Sequence, residues 1–142
     1  MALPLTLIMV FVETEMHWYD PEHTILQVIN SAHWSWAWLH QYSREHVIPQ
    51  LALRPYPIAL VVDISSTTYF PASDLVDNVR TQLEIYRTSN LDVMVIVTAY
   101  PWLARMLENI YRRHGLPTIS YYGVTSFEEA LDRIQESRQQ SV

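Results

Sequence analysis

The segment that most limits the folds open to this chain is Ile58-Ala-Leu-Val-Val62. Five successive apolar residues with no polar alternation suit a strand covered on both faces, and such strands belong to parallel sheets flanked by helices. Leu91-Asp-Val-Met-Val-Ile-Val-Thr98 is a second buried strand of this kind. Helical spacing follows each run. Leu75, Val76, Val79, Leu83 and Tyr86 mark the inner face of one amphipathic helix, and Trp102, Leu103, Met106, Leu107 and Ile110 that of another. Strand, helix, strand, helix in succession is the pattern of right-handed βαβ units.

The flanking segments complete the order. Leu5 to Tyr19 is β-rich, Asp20-Pro21-Glu22-His23 is a turn, and Thr24 to Ile29 returns as a second strand, so the two predict a hairpin. Leu5 to Tyr19 is long for one strand, and residues 1–13 are read as an apolar N-terminal strand or arm. Ser35 is placed to cap a helix over Trp36 to Val47, with Pro49 stopping it. A helix start near Ser73 has that serine as its cap. Arg112, Arg113 and His114 followed by Gly115 form a helix stop with the glycine just past the end. Thr118 to Tyr122 is a last strand. Thr125-Ser-Phe-Glu128 reads as a capping box, and Phe127, Ala130, Leu131 and Ile134 form the inner face of the final helix. The expected fold is therefore α/β, in the order β-β-α-β-α-β-α-β-α, with a mixed, mostly parallel sheet and four helices.

Composition removes whole classes of chemistry. At 142 residues the chain is one domain with room for a substantial core. Cysteine is absent, which excludes disulfides and thiolate chemistry and suits a cytoplasmic setting. Lysine is absent too, so Schiff bases and P-loop phosphate binding are excluded. The two glycines, Gly115 and Gly123, cannot build a phosphate-cradling loop. A net charge of −6 without a basic stripe argues against nucleic acid and anionic membranes. The apolar N-terminus lacks a positive flank and meets Glu13 and Glu15 too early to span a bilayer, so no stable membrane insertion is expected. His40 and His46 fall on different helix faces and His-Glu-x-x-His is missing, so no metal is expected. Asp63 and Thr98 at neighbouring strand ends would suit a phosphorylatable receiver domain, but that chemistry needs a lysine. Ser65, Ser66, Thr67 and Thr68 have no assigned base beside them, so a hydrolase is not expected either.

Several local sequences then resemble one family. They are His17-Trp-Tyr-Asp-Pro-Glu-His-Thr-Ile-Leu26 in the first hairpin, Trp34-Ser-Trp36 before the first helix, Leu60-Val-Val-Asp-Ile-Ser65 at a strand end, and Val124-Thr-Ser-Phe-Glu-Glu-Ala130 before the last helix. The chain resembles the STAS-like domains, the bacterial anti-sigma-factor antagonists and their uncharacterised relatives, over nearly its whole length after about residue 14. The resemblance implies a single STAS-like domain over residues 1–142. It also implies a non-enzymatic regulatory role without cofactor, through a loop after the central strand that reads Asp-Ser-Ser-Gly-Leu in the antagonists. Here the equivalent letters are Pro71-Ala-Ser-Asp-Leu75. Ser73 stands at the family's phospho-acceptor position, and Asp74 stands where the family has glycine. Phosphate on Ser73 would sit near a helix N-terminus but beside Asp74 and Asp77, which repel it.

Two functional expectations follow. The first is a protein-interaction module whose partner, a regulatory kinase or an anti-sigma factor by the resemblance, meets the loop and the following helix start. Its site residues are Asp63, Ser65, Ser66, Ser73 and Asp74. The alternative is a small-molecule or lipid-binding domain, since the fold resembles CRAL-TRIO lipid-transfer domains and the chain is rich in Trp, Met and Tyr. For that reading, and for a homodimer, Trp34, Trp38 and Tyr42 are the candidate aromatic surface, against the simpler reading in which Trp36 enters the core and Trp34 covers its edge. Self-association through the N-terminal arm is the other route to a homodimer.

Overall fold

The computed structural model describes residues 14–140. The proposed arm at residues 1–13 lies outside them. Strands β1 (Thr14–Trp18), β2 (Ile25–Asn30), β3 (Ile58–Asp63), β4 (Leu91–Val97) and β5 (Ser120–Val124) form one sheet in the order β1-β2-β3-β4-β5. β1 is antiparallel to β2, and every later pair is parallel. The hairpin turn is fixed by Asp20, whose carboxylate accepts from the backbone N–H groups of Thr24 and Ile25.

The helical elements are α1 (Trp36–Tyr42, Ser43–Val47 and Ile48–Ala52 in one run), α2 (Leu75–Ile85), α3 (Pro101–His114) and α4 (Phe127–Gln140). No helix among the described residues is long and apolar enough to cross a membrane. Successive parallel strands step across the sheet in one direction, so right-handed crossovers bring α1, α2 and α3 to the same face. There Leu26, Leu60, Met94 and Tyr121 meet Leu39, Leu83 and Leu107 in one core. The alternate residues of the central strands, Ala59, Val61, Val93 and Val95, pack against Ala130 and Ile134 of α4 on the other face. This two-sided burial is what the unbroken apolar runs require.

The helix ends differ from expectation in three places, while α3 ends at His114 with Gly115 next, as read. Pro49 does not stop α1, because Ser43–Val47 is π-helical and the Ile48 N–H reaches back five residues to the Ser43 carbonyl. The wider turn makes room for a ring that would otherwise strike the carbonyl four residues before it. Ser73 is not the cap of α2; Asp74 occupies that position with φ 54° and ψ 38°, and its side chain makes no capping bond. The cap of α4 is Ser126 rather than Thr125, since Ser126 Oγ accepts from the Glu129 N–H. Gly115 is extended (φ −76°, ψ 172°) and not left-handed. It is glycine for lack of space: a Cβ there would stand 2.3 Å from the Tyr121 ring and 2.4 Å from the Tyr111 carbonyl oxygen.

The outer edge of β5 is partly occupied by side chains of α3. Thr98 N–H donates to the Val124 carbonyl, so Val124 faces β4, and Tyr121 and Gly123 face away by alternation. Glu108 accepts from the Gly123 N–H at 3.0 Å, and Arg112 Nε donates to the Tyr121 carbonyl at 2.9 Å. α3 lies so near β5 that a Cβ on Gly123 would come within 2.0 Å of the Ala104 carbonyl oxygen.

Candidate functional site

The carboxyl ends of the parallel strands gather the loop that follows β3, and in a parallel α/β sheet this is the end where ligands and partners meet the chain. The loop begins with a closed turn. Ser65 gives Asp63 Oδ1 two hydrogen bonds, from its N–H at 2.8 Å and its hydroxyl at 2.6 Å. Asp63 and Ser65 thereby satisfy each other, and the carboxylate acts as a turn former.

Two tryptophans hold the loop from beneath. The Trp34 indole N–H donates to Thr67 Oγ1 at 2.8 Å, and the Trp36 indole N–H donates to the Pro71 carbonyl at 2.7 Å. Both rings are buried, 5% and 7% exposed, and meet edge to face with centroids 5.0 Å apart. Phe70 turns in from the loop and packs edge-on against both. The space left between these rings, Leu39, Ile64, Ile96 and Tyr111 is about 10 Å³. That is at the lower limit of what one water molecule needs.

With its underside pinned, the loop presents Ser66, Tyr69, Ala72, Ser73 and Asp74 to solvent, Tyr69 at 75% exposure. The Ser73 carbonyl accepts from Asn78 Nδ2 at 3.1 Å. Asn78 Oδ1 accepts in turn from His40 Nε2 at 3.1 Å, while Gln82 Nε2 donates to His40 Nδ1 at 2.8 Å. This places the proton of the neutral ring on Nε2. Burial pushes His40 below its ordinary value and Arg44 adds to this, against the opposing pull of the Asn78 bond.

Trp38 and Tyr42 stand apart from this assembly. The Trp38 indole donates to Thr14 Oγ1 at 2.8 Å, and the Thr14 hydroxyl donates to Asn30 Oδ1 at 3.0 Å, tying α1 to β1 and β2. Tyr42 follows on the same flank, 6.4 Å from Trp38 and 4.7 Å from His46 between ring centres. Burial, reinforced by the Glu15 carboxylate, raises the Tyr42 hydroxyl. The aromatic group read from the sequence thus divides: Trp34 is buried under the loop, and Trp38 and Tyr42 are half-buried elsewhere.

Sequence reasoning placed two exposed apolar residues on buried faces. Val76 and Trp102, both assigned to inner faces, are 40% and 57% exposed, and Trp102 lies against the exposed Tyr100 with ring centres 6.2 Å apart. Both fall at the margin of their apolar stripes, so their spacing alone could not separate core from rim. Among the described residues no group of His, Asp and Glu is arranged to hold a metal ion.

No family model, no curated protein and no solved structure matches the chain.

Proposed function

We propose that this protein is a STAS-like, non-enzymatic interaction module that binds a partner protein through the loop from Ser65 to Asp74 and the start of α2. The observation that carries this reading is the double tryptophan anchor. Two buried indoles fix the loop at Thr67 and Pro71 while its outer residues remain exposed. A surface ordered before binding loses less conformational freedom on association than one that must first be ordered.

Asp74 supports the family resemblance. It holds φ 54° at the position where the antagonists carry glycine, the residue that takes this conformation without steric cost. The lipid or small-molecule alternative needs an enclosed apolar cavity, and the space beneath the tryptophans, about 10 Å³, gives it no support. As for the phospho-acceptor role of Ser73, the residue is exposed, and Asp74 and Asp77 lie within one turn as like charges.

The test is partner retention. Tagged chain is recovered from its own cells as wild type and as Tyr69→Ala and Ser66→Arg variants, then weighed by native mass spectrometry. A protein held by the wild type and lost by both variants is the expected result. Equal retention by all three, or a retained small molecule with no protein, overturns the reading. An added mass of roughly 80 Da, mapped to Ser73, would identify the phosphorylated form.

A further inference from the structure

A groove runs between α2 and α3, beginning where the presented loop enters α2. Val76 lines one wall and Met106 and Ile110 the other, with Asn109, Arg113 and His114 at its end, and the groove is open to solvent with a volume of about 560 Å³. Trp102 lies one turn before Met106 on α3 and extends the apolar row toward the loop. These side chains are not core residues: Val76 and Trp102 are exposed, and Met106 and Ile110 half-buried.

The groove also has a sign. Arg80 follows Val76 by one turn on α2, and Arg113 lies three residues beyond Ile110 on α3. Both guanidinium-bearing residues are exposed, and neither joins an ion pair among the described residues. Of the carboxylates on the same helices, Glu84 pairs with Arg87 at 3.1 Å, and Glu108 is held by the Gly123 N–H and Arg112. Asp74 and Asp77, both exposed, lie at the loop end of α2. Asp77 is three residues before Arg80, so the positive end of the groove is the one at Arg113 and the far side of Arg80. On a chain of net charge −6 this is a local concentration of unpaired positive charge beside an apolar row.

We propose that the groove is the seat of an acidic amphipathic helix of the partner protein, its apolar positions resting on Val76, Met106, Ile110 and Trp102 and its carboxylates meeting Arg80 and Arg113. The inference takes the interaction-module reading as its premise and specifies the partner's chemistry. A helix laid in a groove is read through anchors at i, i+3, i+4 and i+7, and a row of two helical turns on α3 matches such a stripe. Unpaired arginines at the rim add specificity and encounter rate for carboxylates.

The experiment uses purified full chain and a fluorescein-labelled stapled peptide helix of about four turns, with leucines on one stripe and glutamates beside it. A second peptide has lysines for the glutamates. The expected result is saturable anisotropy for the glutamate helix and at least tenfold weaker binding of the lysine helix. Arg80→Glu with Arg113→Glu should weaken the glutamate helix at least tenfold, and Trp102→Ala severalfold. All of these side chains are exposed, so unchanged far-UV circular dichroism is required of each variant. No binding by either peptide, equal binding by both, or indifference to the variants overturns the inference. The failures are separable by repeating partner recovery with the same variants. A cellular partner lost by the loop variants but kept by Arg80→Glu with Arg113→Glu removes the groove and leaves the interaction module. Tight, charge-dependent peptide binding alongside loop variants that keep the partner removes the loop as the binding surface and leaves the groove.

Discussion

The bond between Trp34 and Thr67 can be weighed by a double-mutant cycle. Trp34→Phe removes the indole N–H that donates to Thr67 Oγ1 at 2.8 Å, and Thr67→Val removes the acceptor while nearly preserving shape. Trp34 is 5% exposed, so its own substitution also costs packing, about 1–2 kcal/mol for the lost ring beyond the bond. The cycle cancels that cost and leaves the coupling. A neutral intramolecular hydrogen bond contributes about 0.5–1.5 kcal/mol net, so the double variant should be less destabilised than the sum of the singles by about 1 kcal/mol. Urea unfolding followed by tryptophan fluorescence gives the four free energies. Hydrogen exchange at the loop amides of residues 66–70 gives a local reading, and about 1 kcal/mol corresponds to roughly fivefold faster exchange in either single variant. Additivity within about 0.3 kcal/mol, with unchanged exchange, would refute the argument that this indole restrains the loop.

Three further outcomes follow from geometry already described. Asp74→Gly should raise stability by about 0.5 kcal/mol, because glycine takes φ 54° without steric cost; a loss measured by chemical unfolding would contradict that assignment. Gly123→Ala should cost about 2–3 kcal/mol, since its Cβ would stand 2.0 Å from the Ala104 carbonyl oxygen; a melting temperature within about 2 °C of wild type would contradict the close approach of α3 to β5. His40 is held below its ordinary value, so the folded chain binds the proton less readily than the unfolded one. Its stability contribution is complete above about pH 6.5 and is lost as the pH falls through that value toward the lowered one. His40→Gln should flatten this part of the stability profile, and an unchanged slope on the acid side of about pH 6.5 would show that His40 does not supply it.

Much of the fold was legible because apolar continuity and apolar periodicity are each controlled by one dominant effect. Ile58 to Val62 and Leu91 to Val97 had to be covered on both faces, and α4 on one side with α1 to α3 on the other covers them. Helix ends were less legible because they depend on small local terms. Pro49 survives inside α1 only through a π-helical turn, and no residue type announces such a turn. Ser73 has the chemistry of a cap, yet the chain reaches α2 through a left-handed Asp74. Of the candidate site, Asp63 and Ser65 were read as partner-binding residues, and the structure joins them to each other in a turn. The tryptophan anchors join residues 33 and 35 positions apart, a separation at which a single sequence carries no spacing signal. The exposed Trp102 was hidden by a helical stripe whose margin periodicity leaves undefined.

The partly occupied edge of β5 bears on how the molecule can associate. A sheet extends by adding strands to its free edges, and Glu108 and Arg112 have taken the outward-facing amide of Gly123 and carbonyl of Tyr121. Strand β1 is the other edge of the sheet. Growth needs two complementary edges per copy, as a chain of links needs two hooks. The residues that occupy the β5 edge belong to a neighbouring helix rather than to the strand they protect.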